Sequence, residues 1–177
     1  MKYVALLRGI NAGKIRRVEM KKLQAVFAAL GYMNISTYIN SGNVIFSSKK
    51  TPSIIQRDLE KNLKKEFGFA IPTLVKTEKE MQKIAQAIPA TWQNDAQQRT
   101  DVAYLFKEAD SNMIIDELPI KKEFIDVRYI KGAMFWNVRR ADYNKSHLNK
   151  VVGCKIYQFM TVRNVNTAKF LAGIKKL

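Results

Sequence analysis

One cysteine, Cys154, and one histidine, His147, are all that the chain offers of the two side chains most used in covalent and metal chemistry. A lone cysteine excludes an intramolecular disulfide and fits a reducing compartment. Zinc sites draw several ligands from Cys and His, so the residues call for no metal, and nothing in them calls for a cofactor. A nucleophilic Cys–His pair would need the fold to bring His147 and Cys154 together; a helix-surface histidine and a small buried cysteine is the simpler reading. The acids are scattered, and no two stand out as general acid and base, so these residues give enzyme chemistry little support. Long apolar runs are also missing. The start "MKYVALLRG" has five apolar residues after its first charge, too few for a signal sequence, and no run reaches membrane-spanning length. A cytoplasmic protein with no membrane partner is expected.

Negative charge is the other shortage. The chain carries 31 Lys and Arg against 15 Asp and Glu, net +16. Residues 1–77 hold 14 basic and 4 acidic side chains (net +10), and residues 78–177 hold 17 and 11 (net +6). Before Asp58 the only acid is Glu19. A surface of this kind attracts and steers polyanions; the plainer reading is solubility.

With 177 residues and 47% hydrophobic content, the chain can bury a core as one domain or as two small halves. Tyr3–Leu7 is a continuous apolar run, as in a strand covered on both faces. In 19–30, Met20, Leu23, Phe27 and Leu30 recur at helical spacing before Gly31. "NISTYIN" and "NVIFSS" flank Ser41-Gly42, a hairpin signal. Thr51-Pro52 opens a helix with Ile55, Leu59, Leu63 and Phe67 on one face, ended by Gly68, and Ile71–Lys76 reads as a strand. The order is βαββαβ.

The second half follows the same pattern with different residues. Thr77 and Glu80 form a capping box for a helix whose face is Met81, Ile84, Ala85 and Ile88. Val102–Phe106 reads as a strand, Ser111–Leu118 as a short helix, and "FIDVRYI" with "AMFWNV" as a hairpin around Lys131-Gly132. Helical segments near Tyr143–Val152 and Asn166–Leu177 end the chain. The fold expected is α+β: two ferredoxin-like halves packed together, 1–77 and 78–177, the second with an altered C-terminal helical end.

The stretch "LLRGINAGKIRR" (6–17) is a glycine-containing loop between strand and helix, a place where free backbone N–H groups and a helix dipole can meet an anion. It is neither of the common phosphate loops. Gly9 and Gly13 are separated by three residues and followed by Lys14-Ile15, where a Walker loop needs four residues and then Lys-Ser/Thr. The dinucleotide fingerprint needs three glycines at fixed spacing. In a βαββαβ sheet the first two strands run parallel, so this loop and the 40–43 turn lie at one end. Arg8 at the strand end is expected to turn its guanidinium toward Asn40–Asn43, whose oxygens suit its donors.

The segments "LLRGINAGK", "YINSGNVIF" and "TVRNVNTAKFL", in that order across nearly the whole chain, resemble the bacterial family known as domain of unknown function 1697. The resemblance implies an α+β fold with ferredoxin-like elements and no established activity. Arg8, Gly9, Asn11, Ser41, Gly42, Asn43, Arg163, Asn164 and Thr167 match its recurrent motifs; Ala12 stands at a small, glycine-like position and Val165 replaces a common Trp. Read for itself, "TVRNVNTAKF" is a helix start that Asn164 or Asn166 can cap, with Ala168, Leu171 and Ile174 as its buried stripe. A functional reading adds Arg163 to the anion site.

"KGAMFWNV" (131–138) weakly echoes an RNA-recognition signature through Lys131, Gly132 and Phe135. Alternation would put Phe135, Asn137 and Arg139 on a face with Phe124, Asp126 and Arg128, and Tyr104 joins them if it points the same way. Packing is the alternative use of that face. The expected role is binding of an anionic partner, nucleic acid or another polyanion, through Arg8, Gly9, Asn11, Lys14, Arg16, Arg17, Asn40, Ser41, Gly42, Asn43, Arg163 and Asn164. The rivals are a small-molecule enzyme or sensor holding a phosphorylated or carboxylated ligand at the Arg8/Ser41 end, and a protein-interaction module.

Overall fold

A computed structural model describes residues 1–13 and 15–174 of the chain, which divides into two units, Met1–Met81 and Gln82–Leu177. The first runs β1 (Lys2–Leu7), α1 (Met20–Ala29), β2 (Met33–Tyr38), β3 (Asn43–Ser47), α2 (Pro52–Phe67) and β4 (Thr73–Thr77). Its sheet order is β2-β3-β1-β4 with every neighbouring pair antiparallel. That is the ferredoxin-like arrangement: β1 and β2 run parallel without touching, so the ends of both strands share one edge.

Each helix forms for a local reason. In α1 the residues four apart, Leu23 and Phe27, are fully buried, and Gly31 follows at φ 77°, the left-handed stop that glycine takes without strain. In α2, Pro52 sits in the first turn, Ile55, Leu59 and Leu63 are buried, and Gly68 closes the helix at φ 78°. Both helices lie on the same face as Tyr3, Ala5, Val44 and Phe46 in one apolar core. The hairpin departs from a two-residue loop. Its turn is four residues, 39–42, with Ile39 at φ 49° and Gly42 at φ 76°.

The helix α3 (Glu78–Ala87) opens on the capping box. Thr77 Oγ1 accepts from the N–H of Glu80 at 3.2 Å, and Glu80 Oε2 accepts from the N–H of Thr77 at 2.8 Å. The boundary between the units falls within α3, after Met81, and the second unit goes on with β5 (Gln98–Leu105), β6 (Ile125–Ile130), β7 (Ala133–Arg139), β8 (Met160–Asn164) and α4 (Val165–Leu171). Its sheet order is β6-β7-β5-β8, again antiparallel throughout. The repeat extends to single bonds. Leu7 N–H donates to Gly42 O at 2.8 Å in the first unit, and Leu105 N–H to Gly132 O at 3.1 Å in the second.

Two expectations for this half need correction. The segment before α4 is a strand, β8, which completes the sheet against β5. The cover of the sheet is built from short 3₁₀ turns, among them Asn112–Ile115, Leu148–Gly153 and Lys155–Phe159, where α-helices were expected at Ser111–Leu118 and Tyr143–Val152. Ala109, Ile114, Leu118, Leu148 and Val151 from these segments pack on Ala103, Leu105, Met134, Trp136 and Val138. They reach the sheet without helical repeats because a few apolar anchors suffice to cover four strands. Of the C-terminal helix expected over Asn166–Leu177, the described part is Val165–Leu171, and 175–177 lie outside the described residues. Among the described residues no helix is long and apolar enough to cross a membrane.

Candidate functional site

Three loops meet at one edge of the first sheet: the segment after β1, the 39–42 turn, and the residues before β4. Leu7 N–H bonds Gly42 O, and Arg8 N–H donates to Pro72 O at 2.9 Å. Asn11 then ties the first loop to the second. Its Nδ2 donates to Asn40 O at 2.8 Å and to Val18 O at 2.9 Å, and its Oδ1 accepts from Val18 N–H at 2.8 Å. Asn11 sits at φ 56°, a left-handed conformation that asparagine tolerates better than most residues. The parallel-strand reading thus brings the two loops together, and an amide makes the link.

Gly42 is the tightest point. A Cβ there would come 2.7 Å from Leu7 Cβ and 2.8 Å from Ile10 Cδ1. Asn43 is fully buried, and its Nδ2 donates to Tyr38 O at 3.0 Å and to Ser41 Oγ at 2.9 Å. The amides of Asn11 and Asn43 are therefore engaged within the protein. Arg8 is half-buried at the strand end, and Gly9 is exposed at φ 72°. Arg16 Nη1 would stand 3.5 Å from a Cβ at Gly9, and its guanidinium lies 6.0 Å from the centre of the Phe69 ring. Arg16 and Arg17 are exposed, as are Lys21 and Lys22 in the first turns of α1. Among the described residues none of these four has an ion pair. Lys14 lies outside the described residues.

Arg163 and Asn164 belong to the second unit, at the end of β8. Asn164 caps α4, its Oδ1 accepting from Thr167 N–H at 2.8 Å, which is the capping role the sequence allowed. Arg163 is buried; its Nη1 donates to Thr161 Oγ1 at 2.9 Å and to Val162 O at 2.8 Å. Burial lowers the guanidinium pKa to about 10, so the group stays charged at neutral pH. On the same face, Tyr104 is fully buried and burial pushes its hydroxyl pKa well above the ordinary value.

The strand echoing an RNA-recognition signature offers no open stacking platform. Phe135 is 2% exposed and packs edge-on against Trp92, with ring centres 6.0 Å apart. Arg128 lies over the same Trp92 at 5.2 Å. His147 and Cys154 do not pair. His147 Nε2 is 3.5 Å from Lys150 Nζ, and Cys154 Sγ donates to Lys150 O at 3.7 Å. His147 is half-buried at φ 58°, ahead of a 3₁₀ turn and off any α-helix, and Cys154 is half-buried where a buried one was expected.

A second concentration of polar groups has no local signature in the sequence: Arg99, Asp101, Trp136, Arg140 and Tyr143 line one cavity of the second unit. Alternation along β5 and β7 could have placed Asp101 and Trp136 on one face. Nothing local, however, brings Tyr143 or Arg140 to them.

The profile of the family described as "Protein of unknown function (DUF1697)" matches residues 1–136. Among solved structures, the conserved bacterial protein SP0830 from Streptococcus pneumoniae is 25% identical, with a TM-score of 0.83 over 99% of this chain and 98% of that one. No protein among the curated ones matches.

Proposed function

We propose that this chain, which belongs to the DUF1697 family, binds a polyanion at the loop end of its first unit, with nucleic acid as the ligand, and does so in the cytoplasm. One observation carries the reading: Arg16, Arg17, Lys21 and Lys22 are all exposed within seven consecutive positions at the edge where three loops converge. The only acid among the first 57 residues, Glu19, stands among them. Cations without acidic partners keep their full charge for a ligand, and phosphate contacts of this kind need no base readout. Because the nearby amides are engaged within the protein, the groups left to meet an anion are cations on flexible stems, which suits a charged backbone better than one fixed small molecule.

The test is a salt titration of binding to single-stranded RNA and to DNA. The affinity should fall linearly on a log–log plot with salt, with a slope of about −0.7 per phosphate contacted on a single strand. A slope near zero, or no binding at low salt, overturns the reading.

A further inference from the structure

Among the described residues, Ile15 is the most exposed large apolar side chain, at 78%, and Ile39, in the 39–42 turn, is 52% exposed. Single apolar residues in solvent are common, but these two stand on loops that are tied together. Asn11 makes the tie. Its N–H donates to Arg16 O at 3.1 Å, closing the loop that carries Ile15, and its Nδ2 donates to Asn40 O at 2.8 Å, holding the residue next to Ile39. Each isoleucine is therefore one position from a carbonyl bound to the same asparagine.

The backbone that carries them is unusual. Ile39 has φ 49° and Arg16 φ 57°. A β-branched residue at positive φ is an outlier, and such strain persists only where the surrounding structure fixes it. An asparagine at position 39 would fit the backbone better and leave less apolar surface in water. Around the pair the charge is positive, with Arg16 and Arg17 exposed beside Ile15 and Lys21 and Lys22 just beyond. Cations on phosphates fix position and read no bases, which leaves the isoleucines as the groups at this end suited to meet bases. Proteins that open a double helix combine Arg and Lys with an apolar wedge, isoleucine among them, between base steps. A lipid surface suits the pair less well: membrane-interface anchors are rich in Trp and Tyr, and no Trp or Tyr is exposed among the described residues.

We propose that Ile15 and Ile39 insert between bases of the bound nucleic acid, so that the ligand class of this site is a double helix with a step that is open or opens readily, as at a mismatch. The proposal rests on polyanion binding at the same loop end and adds base contacts that such binding does not need.

The experiment uses the full chain and two DNA duplexes of one length, one perfectly paired and one with a single central mismatch, both carrying 2-aminopurine beside the central pair, titrated at several salt concentrations. The two hold the same number of phosphates, so charge alone cannot tell them apart. The mismatched duplex should bind about tenfold more tightly, because its step has already lost part of the stacking that a wedge must break, and its 2-aminopurine emission should rise as protein is added. Ile15→Ser and Ile39→Asn should each lose the preference and the rise while keeping the salt slope. Both positions are exposed, and Asn tolerates the left-handed backbone at position 39, so these variants fold. Ile39→Leu, apolar without the β-branch, should keep both readouts. If neither duplex binds at low salt, polyanion binding itself fails and this proposal with it. If both bind with steep salt dependence but equally well, or if the Ser and Asn variants keep the preference, the wedge alone is overturned. Vesicles containing phosphatidylserine form the last arm: binding to them that Ile15→Ser and Ile39→Asn abolish, with duplex binding unchanged, gives the two side chains to a lipid surface and overturns the proposal.

Discussion

The Leu7 N–H donates to the carbonyl of Gly42 at 2.8 Å, and a Cβ on Gly42 would stand 2.7 Å from the Cβ of Leu7. One pair of residues thus joins strand β1 to the hairpin turn and forbids a side chain at the junction. Gly42→Ala must accept a left-handed φ of 76° and push against Leu7 and Ile10, both buried. The expected cost is about 2–5 kcal/mol, summing left-handed strain and overpacking. Gly13→Ala, at φ 78° with no heavy atom of the described residues beyond its chain neighbours within 4 Å of the added Cβ, should cost only the strain, about 1–2 kcal/mol. Urea denaturation of the two variants checks the order; equal losses would show that the Leu7 contact relaxes freely.

Asn11 is a bridge whose two ends have different chemistry. Its Nδ2 serves two carbonyls and its Oδ1 serves one N–H. Asn11→Asp keeps the acceptor for Val18 N–H and turns a carboxylate oxygen toward the carbonyls of Val18 and Asn40. Two acceptors then face each other, so the isosteric change should destabilise at least as much as Asn11→Ala, by about 2 kcal/mol. Thermal midpoints of the two variants decide this. An Asn11→Asp protein as stable as the wild type would mean that the bridge carries little energy.

Acid stability follows from three aspartates. The Asp58 carboxyl is held below the ordinary aspartate value by its hydrogen bond from Lys50, that of Asp95 by the N–H groups of Gln98 and Gln97, and that of Asp142 by hydrogen bonds from Lys145 and Arg139. Each has a folded pKa below its unfolded one. Each therefore contributes stability above the unfolded value, near 3.9, and that contribution is lost as pH falls through the folded value. Asp101 runs the other way. Burial raises its pKa, so its contribution is present at low pH and lost as pH rises through the folded value. The melting temperature should drop steeply below about pH 4, and Asp142→Asn should flatten that limb. An unchanged slope in the variant removes Asp142 from the account.

Reversing charge tests where the polyanion binds. Arg16, Arg17, Lys21 and Lys22 changed to Glu should weaken RNA binding at low salt and make the salt slope shallower by about 0.7 for each phosphate that the variant no longer neutralises. The same reversal at Lys107, Lys121, Lys131 and Lys155, all exposed in the second unit, changes net charge equally and should cost less. Equal losses in a filter-binding or anisotropy titration would assign the effect to net charge alone.

Helices α1 and α2, the Thr77–Glu80 capping box and the two hairpins were legible because their causes are local: apolar residues three and four apart, a glycine stop, a Thr and a Glu three positions apart. The neighbouring ends of β1 and β2 could also be derived, since topology alone puts parallel strands' ends on one edge. Other features needed the tertiary structure. β8 is five residues whose pairing partner, β5, ends more than fifty positions earlier, so the ladder that makes it a strand leaves no periodic trace in "MTVRN". The 3₁₀ cover of the second sheet is likewise held by scattered anchors meeting a preformed face. The parallel strands read from the sequence put the loop after β1 and the 40–43 turn at one end of the sheet, where Asn11 meets Asn40. Only the folded chain decided that Asn11 and Asn43 turn their donors inward while Arg16 and Arg17 remain in solvent, because hydrogen bonds between distant residues are chosen by the packing that brings them together.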